Sequence, residues 1–222
     1  MPSPNILRYG SEEPLPEKLL LEAGPLTMTF ERGEVRYIRF GEHEVLRRVY
    51  MAVRDRNWDT APNAISNLSV KRTAGEFAIS YDAVSRMDGI DFRWSATITG
   101  DARGTVEWTM RGKAHSTFWR NRIGYCVLHP IRECAGRPCI LEKTSGAIET
   151  SRFPELVSPH QPFKDLRAMS HEVVPGLTAE VRFSGDIFET EDQRNWTDAS
   201  YKTYSTPLDL PIPVEVKEGT EI

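Results

Sequence analysis

Three short stretches set arginine, asparagine or aspartate close to tryptophan: Arg54-Asp55-Arg56-Asn57-Trp58, Trp119-Arg120-Asn121-Arg122, and Glu191-Asp192-Gln193-Arg194-Asn195-Trp196-Thr197-Asp198. A polyhydroxylated ligand asks for that mixture: forked polar groups pair with hydroxyls, and a flat ring covers a C–H face. The same residue types also pin long loops through Arg–Asp pairs, and composition leaves both uses open. The third stretch is the richest, because Asp186, Glu189, Glu191, Asp192 and Asp198 crowd together with Arg194 and Lys202. If a strand runs through it, Glu189 and Glu191 share a face and Asp192 points the other way. Two carboxylates on one face can divide into acid and base when their surroundings separate their proton affinities.

Histidines offer a second route to a base. His129 precedes Pro130 at the end of the apolar run Ile123 to Leu128, and His160 sits between two prolines in Ser158-Pro159-His160-Gln161-Pro162. A histidine on a rigid loop can serve as base or metal ligand when one ring nitrogen is held and the other left free. No His-x-His or His-x-x-x-His spacing supports a metal, and the metal question stays open. Cys134 and Cys139 are not spaced as a zinc ribbon, and Cys126 lies in an apolar run that favours burial. No Gly-x-Ser-x-Gly elbow, phosphate loop or dinucleotide fingerprint occurs, so no cofactor is expected.

The elements that must position these groups are strands. Period-2 stripes recur at Leu26, Met28 and Phe30; at Val35 and Tyr37; at Phe77, Ile79 and Tyr81; and at Ile90, Phe92, Trp94, Ala96 and Ile98. Further stripes run through Val106, Trp108 and Met110 and through Leu177, Ala179, Val181 and Phe183. Each offers one apolar face to a second sheet. The pattern predicts an all-β fold, a large antiparallel β-sandwich of the supersandwich, galactose-mutarotase-like kind, with little helix. One or two helical turns are expected at Pro16–Leu21 and Pro162–Met169.

Composition narrows the function. The chain of 222 residues is long enough for one domain, 1–222, with its own core. A net charge of −4 with no basic run argues against nucleic acid or an anionic membrane as partner. Leu19-Leu20-Leu21 is too short for a signal core or a membrane span, and three cysteines suit a reducing compartment, so a cytoplasmic location is expected.

The polar stretches carry a family resemblance. Arg54 to Trp58, Arg120-Asn121-Arg122-Ile123-Gly124 with Leu128-His129-Pro130, Ser158 to Phe163, and above all Glu191 to Ser200 resemble the N-terminal region of D-apionate lactonases. The resemblance implies opening of D-apionolactone to D-apionate in bacterial catabolism of apiose. It also implies that this chain is the N-terminal part of a longer, glycoside-hydrolase-like protein, with a barrel domain following the sandwich. Ester hydrolysis needs a base for water and a donor for the oxyanion. His129, His160 or Glu191 are candidates for the first role, and Arg122, Arg194 or Lys202 for the second. Trp58, Trp119 and Trp196 would shape a pocket for the sugar lactone or sugar acid, with Arg54, Asn57, Asn121, Gln161, Asp192, Asn195 and Asp198 binding hydroxyls. The rival reading is a non-catalytic carbohydrate-binding or docking module. A mutarotase-like aldose epimerase ranks third.

Overall fold

A computed structural model describes residues 2–222, and all its strand pairings are antiparallel. Four strands, Asn63–Thr73, Glu76–Met87, Ile90–Gly100 and Val106–Ala114, form a sheet in simple up-and-down order. Its hairpins are tight because Gly75 and the Asp88-Gly89 pair adopt the left-handed backbone that such turns require. The remaining twelve strands form a single larger sheet. At its centre lie His43–Asp55, Phe118–Pro130, Ser200–Tyr204 and Phe188–Asp192, in that spatial order. The sandwich expectation is met.

The core explains why the stripes read so clearly. Ile79, Tyr81, Phe92, Trp94 and Ile98 of the small sheet are buried with Val49, Met51, Val53, Ile123 and Val127 of the large one. Tyr81 ties the layers together: its ring meets Trp94 edge-on at 5.6 Å, and its hydroxyl donates to the Gly33 carbonyl at 2.7 Å. Gly112 sits so close to this core that an added Cβ would lie 2.2 Å from Cζ of Phe92. Gly112→Ala is therefore expected to cost about 1–3 kcal/mol through overpacking, read as a lower urea midpoint at unchanged slope.

Three expectations need correction. Residues Leu19–Ala23 are an edge strand paired with Leu26–Glu31, not a helical turn. Residues Phe163–Val174 are also a strand. Here a bulge between Phe163 and Leu166, with Asp165 at φ 58°, stretches the apolar spacing from two to three residues and imitates a helix. Tyr37 likewise stands at a bulge with φ 53°, so Ile38 takes the buried place and Tyr37 is exposed. The helices present are short: Pro4–Tyr9, capped by the Ser3 hydroxyl, Ile131–Cys134, and a 3-10 turn at Gln193–Trp196. No helix among the described residues is long and apolar enough to cross a membrane.

Candidate active site on the open face of the large sheet

The small sheet covers one face of the large sheet, and a cavity of about 660 Å³ opens on the other. Strand register builds it. Arg54 pairs with Arg122, Ala52 with Gly124 and Tyr50 with Cys126, so these alternate side chains share the open face. Tyr204 pairs with Cys126 and Glu189, and Lys202 with Leu128 and Glu191, which extends the same face across two more strands. Tyr50, Ala52, Cys126 and Tyr204 form a small apolar cluster of their own, the floor of the cavity. Arg54, Trp58, Thr60, Gln193, Trp196 and Leu208 surround it.

The charged groups differ sharply in how they are held. Lys202 is buried and ion-paired with Glu191, and it also approaches Gln193 Oε1 at 3.4 Å. Glu189 is buried on the same face beside Tyr204, where it accepts from the Tyr204 hydroxyl at 2.7 Å and the Leu208 amide at 2.8 Å. Burial first, then the nearby Glu191 and Glu189 carboxylates, push the Tyr204 hydroxyl far up, so it remains a neutral donor. Arg122 is only 2% exposed, yet its Nε has no hydrogen-bond partner. Its guanidinium lies 3.5 Å from the Tyr204 ring centre and 5.3 Å from that of Trp58.

The rim is set by two polar turns. Asp55 accepts from the Asn57 and Asp59 amides, each at 2.8 Å, and holds Trp58 at φ 72° over the cavity. Asn121 turns away from the cavity and donates to the Arg56 carbonyl at 3.1 Å, bracing the same turn. On the opposite rim Asp192 caps the 3-10 turn and accepts from the Ser158 amide at 2.9 Å. Arg194 binds Asp192 at 2.7 Å and donates to the carbonyls of Pro154, Glu155 and Leu156. Asn195 adds a bond to Ser158, so this cluster clamps the 154–158 loop and presents Trp196.

The sequence candidates thus separate. Arg54, Trp58, Arg122, Glu191, Trp196 and Lys202 come together around the cavity. Asn57, Asn121, Asp192, Arg194 and Asn195 support its rim. Trp119 pairs opposite Glu215 outside it, and His160 and Gln161 follow the clamped loop without lining the cavity. Asp198 accepts from the Ser200 hydroxyl at 2.6 Å. His129 stands on the far face: it is buried, bonds Thr203 Oγ1 at 2.9 Å and packs near Phe153. Tyr50, Ala52, Tyr204 and Leu208 are not singled out by the sequence, and Cys126 only as a buried residue, which it is. The register partner of Arg54, once known, would have identified the floor by alternation alone.

Burial, with a smaller contribution from His171, draws His129 down to about 3, and burial lowers His171 as well. Both bind a proton more readily in the unfolded chain. Their contribution to stability is complete above the unfolded value near 6.5 and is lost as pH falls toward the folded one. The unfolding free energy from urea titration is expected to drop between pH 6.5 and 5, by up to about 1.4 kcal/mol per pH unit for each proton. His129→Gln should flatten that slope; an unchanged slope would contradict this account.

All three cysteines are free and buried, and no group of three or more His, Cys, Asp or Glu among the described residues is placed to hold a metal ion. With this geometry in view, comparison with known proteins is informative. The family described as D-apionate lactonase, N-terminal domain, matches residues 6–222. A curated D-apionate lactonase from Brucella anthropi is 41% identical over 214 residues, 95% of this chain and 35% of the relative. The chain therefore spans about a third of the length of that relative.

Proposed function

The chain belongs to the family of D-apionate lactonase N-terminal domains, and from that premise we propose that its large-sheet cavity holds a sugar lactone during ring opening. The observation that carries this reading is the meeting, in one walled cavity, of Glu191, Lys202 and an unpaired Arg122 between aromatic side chains. Trp58 and Trp196 cover the C–H faces of the sugar, and Gln193 and Thr60 meet its hydroxyls.

The chemistry follows from these groups. Glu191 takes a proton from a water whose oxygen attacks the lactone carbonyl carbon. The Arg122 guanidinium, itself only 2% exposed, receives the oxyanion, and burial of the cation strengthens such a contact. Collapse breaks the bond from the acyl carbon to the ring oxygen. Lys202 protonates that oxygen as it leaves, and the proton held by Glu191 then restores the ammonium. The products are a free hydroxyl and a carboxylic acid, which gives its proton to solvent water to become the carboxylate. His129 and His160 take no part in this scheme.

Acid release from D-apionolactone by the full-length protein, with Ala52→Trp as the test variant, examines the assignment. Ala52 is on the cavity floor, so the indole fills the space the sugar needs. Turnover should fall on the order of 100-fold with the melting temperature nearly unchanged. One observation favours a second reading: Leu156 is 83% and Trp196 73% exposed on the rim, as a surface that docks another part of the full-length protein would be. Full turnover in Ala52→Trp would move the chemistry elsewhere and favour that reading.

A further inference from the structure

The cavity lining holds three cations, Arg54, Arg122 and Lys202, against one carboxylate, Glu191, in a protein whose overall charge is −4. The excess is concentrated on Arg122. Lys202 is matched by Glu191, and Arg54 is more open, with its Nε bonded to Thr60 Oγ1 at 3.1 Å. Arg122 is buried, with its guanidinium 3.5 Å from the Tyr204 ring centre and 5.3 Å from that of Trp58. Among the described residues, no carboxylate pairs with it and its Nε is unsatisfied. Taking a guanidinium out of water without an anion is costly, and ring faces return only part of that cost. A neutral lactone supplies no compensating charge.

We propose that Arg122 is a carboxylate seat, and that the ligand this cavity binds most tightly is a polyhydroxylated sugar acid in its ring-opened, anionic form. The inference rests on the reading of this cavity as the sugar site, and it adds a charge requirement that the reading does not contain. A planar guanidinium matches a carboxylate with two parallel hydrogen bonds, which neither a hydroxyl nor a lactone carbonyl can accept in the same way. The Glu189–Tyr204 bond makes the seat rigid: Glu189 fixes the ring on which the guanidinium rests, while its own charge is engaged by Tyr204 and the Leu208 amide. Glu189 is thus a positioning residue that leaves Arg122 free for the ligand. A consequence for turnover is that the released acid competes with the lactone for the same place.

The test compares two ligands that differ in one group. Calorimetric titration of the full-length protein uses D-apionate and the corresponding alditol, in which a hydroxymethyl group replaces the carboxylate. D-apionate should bind about 10- to 100-fold more tightly, the range expected for hydrogen bonds to a charged group. Arg122→Met should bring D-apionate down to the affinity of the alditol, and Arg122→Lys should recover only part of the difference. Equal binding of the two ligands by the wild-type protein overturns the proposal, as does a ratio that survives in Arg122→Met. Equal wild-type binding overturns the proposal even if Arg122→Met fails to fold, and Arg122→Lys, which keeps the charge, then carries the assignment to Arg122. Hydrolysis is scored separately. A protein that prefers D-apionate but does not open the lactone sinks the hydrolytic reading and leaves the carboxylate seat standing; hydrolysis with equal binding does the reverse.

Discussion

Glu191→Gln in the full-length protein is expected to lower kcat for lactone opening by about 10²- to 10⁴-fold, the usual range for loss of a positioned general base. The amide is nearly isosteric and can still accept from Lys202, so the ion pair becomes a hydrogen bond and the sheet face keeps its shape. KM should change little, because the proposed site seats the sugar on Trp58, Trp196 and Arg122 rather than on this carboxylate. That split between kcat and KM separates a base from a residue that merely supports the pocket. A variant with full kcat would remove Glu191 from the chemistry.

Asp192→Ala is expected to have the largest effect on stability, about 3–5 kcal/mol, because it strips a buried carboxylate from its arginine. Asp192 is 1% exposed and holds Arg194, the Arg194 amide and the Ser158 amide together. Burial alone would raise its proton affinity, but the Arg194 guanidinium and the two amides outweigh it and keep Asp192 below the usual aspartate value. With the folded value depressed, this contribution is present above the ordinary aspartate range and is lost as pH falls through the lowered one. The urea midpoint at pH 7 should fall in the variant, and amide exchange at Ser158 should quicken as the 154–158 loop comes free. Trp196 rides on the same 3-10 turn, so KM for the lactone should rise as well. A variant with wild-type stability would show that the clamp is incidental.

The contrast between these two neighbours marks what could be read from the sequence. Alternation placed Glu189 and Glu191 on one face and Asp192 on the other, and the register of Phe188–Asp192 against Ser200–Tyr204 has that arrangement. The long stripe from Ile90 to Ile98 was equally plain, because every second residue enters one core. Parity alone does not say which face is covered. His129 and Lys202 differ by one step across paired strands, and only the packing of Phe153 and Thr203 around the first separates its buried place from the cavity position of the second. Arg122 and Arg194 look alike in sequence; one is unpaired and the other saturated because of a loop some forty residues away from Arg194. Bulges defeated the periodic reading at Tyr37 and Asp165, where a left-handed residue inserts one step into the strand. The triplet Leu19-Leu20-Leu21 has good helix formers around it, but pairing with Leu26–Glu31 overrides that preference.

The most direct measurement is a crystal structure of the full-length protein soaked with D-apionate. The account predicts density for the ligand between Trp58 and Trp196, with its carboxylate on the Arg122 guanidinium and its hydroxyls near Gln193 and Thr60. An empty large-sheet cavity, with the sugar acid bound in another part of the protein, would contradict it.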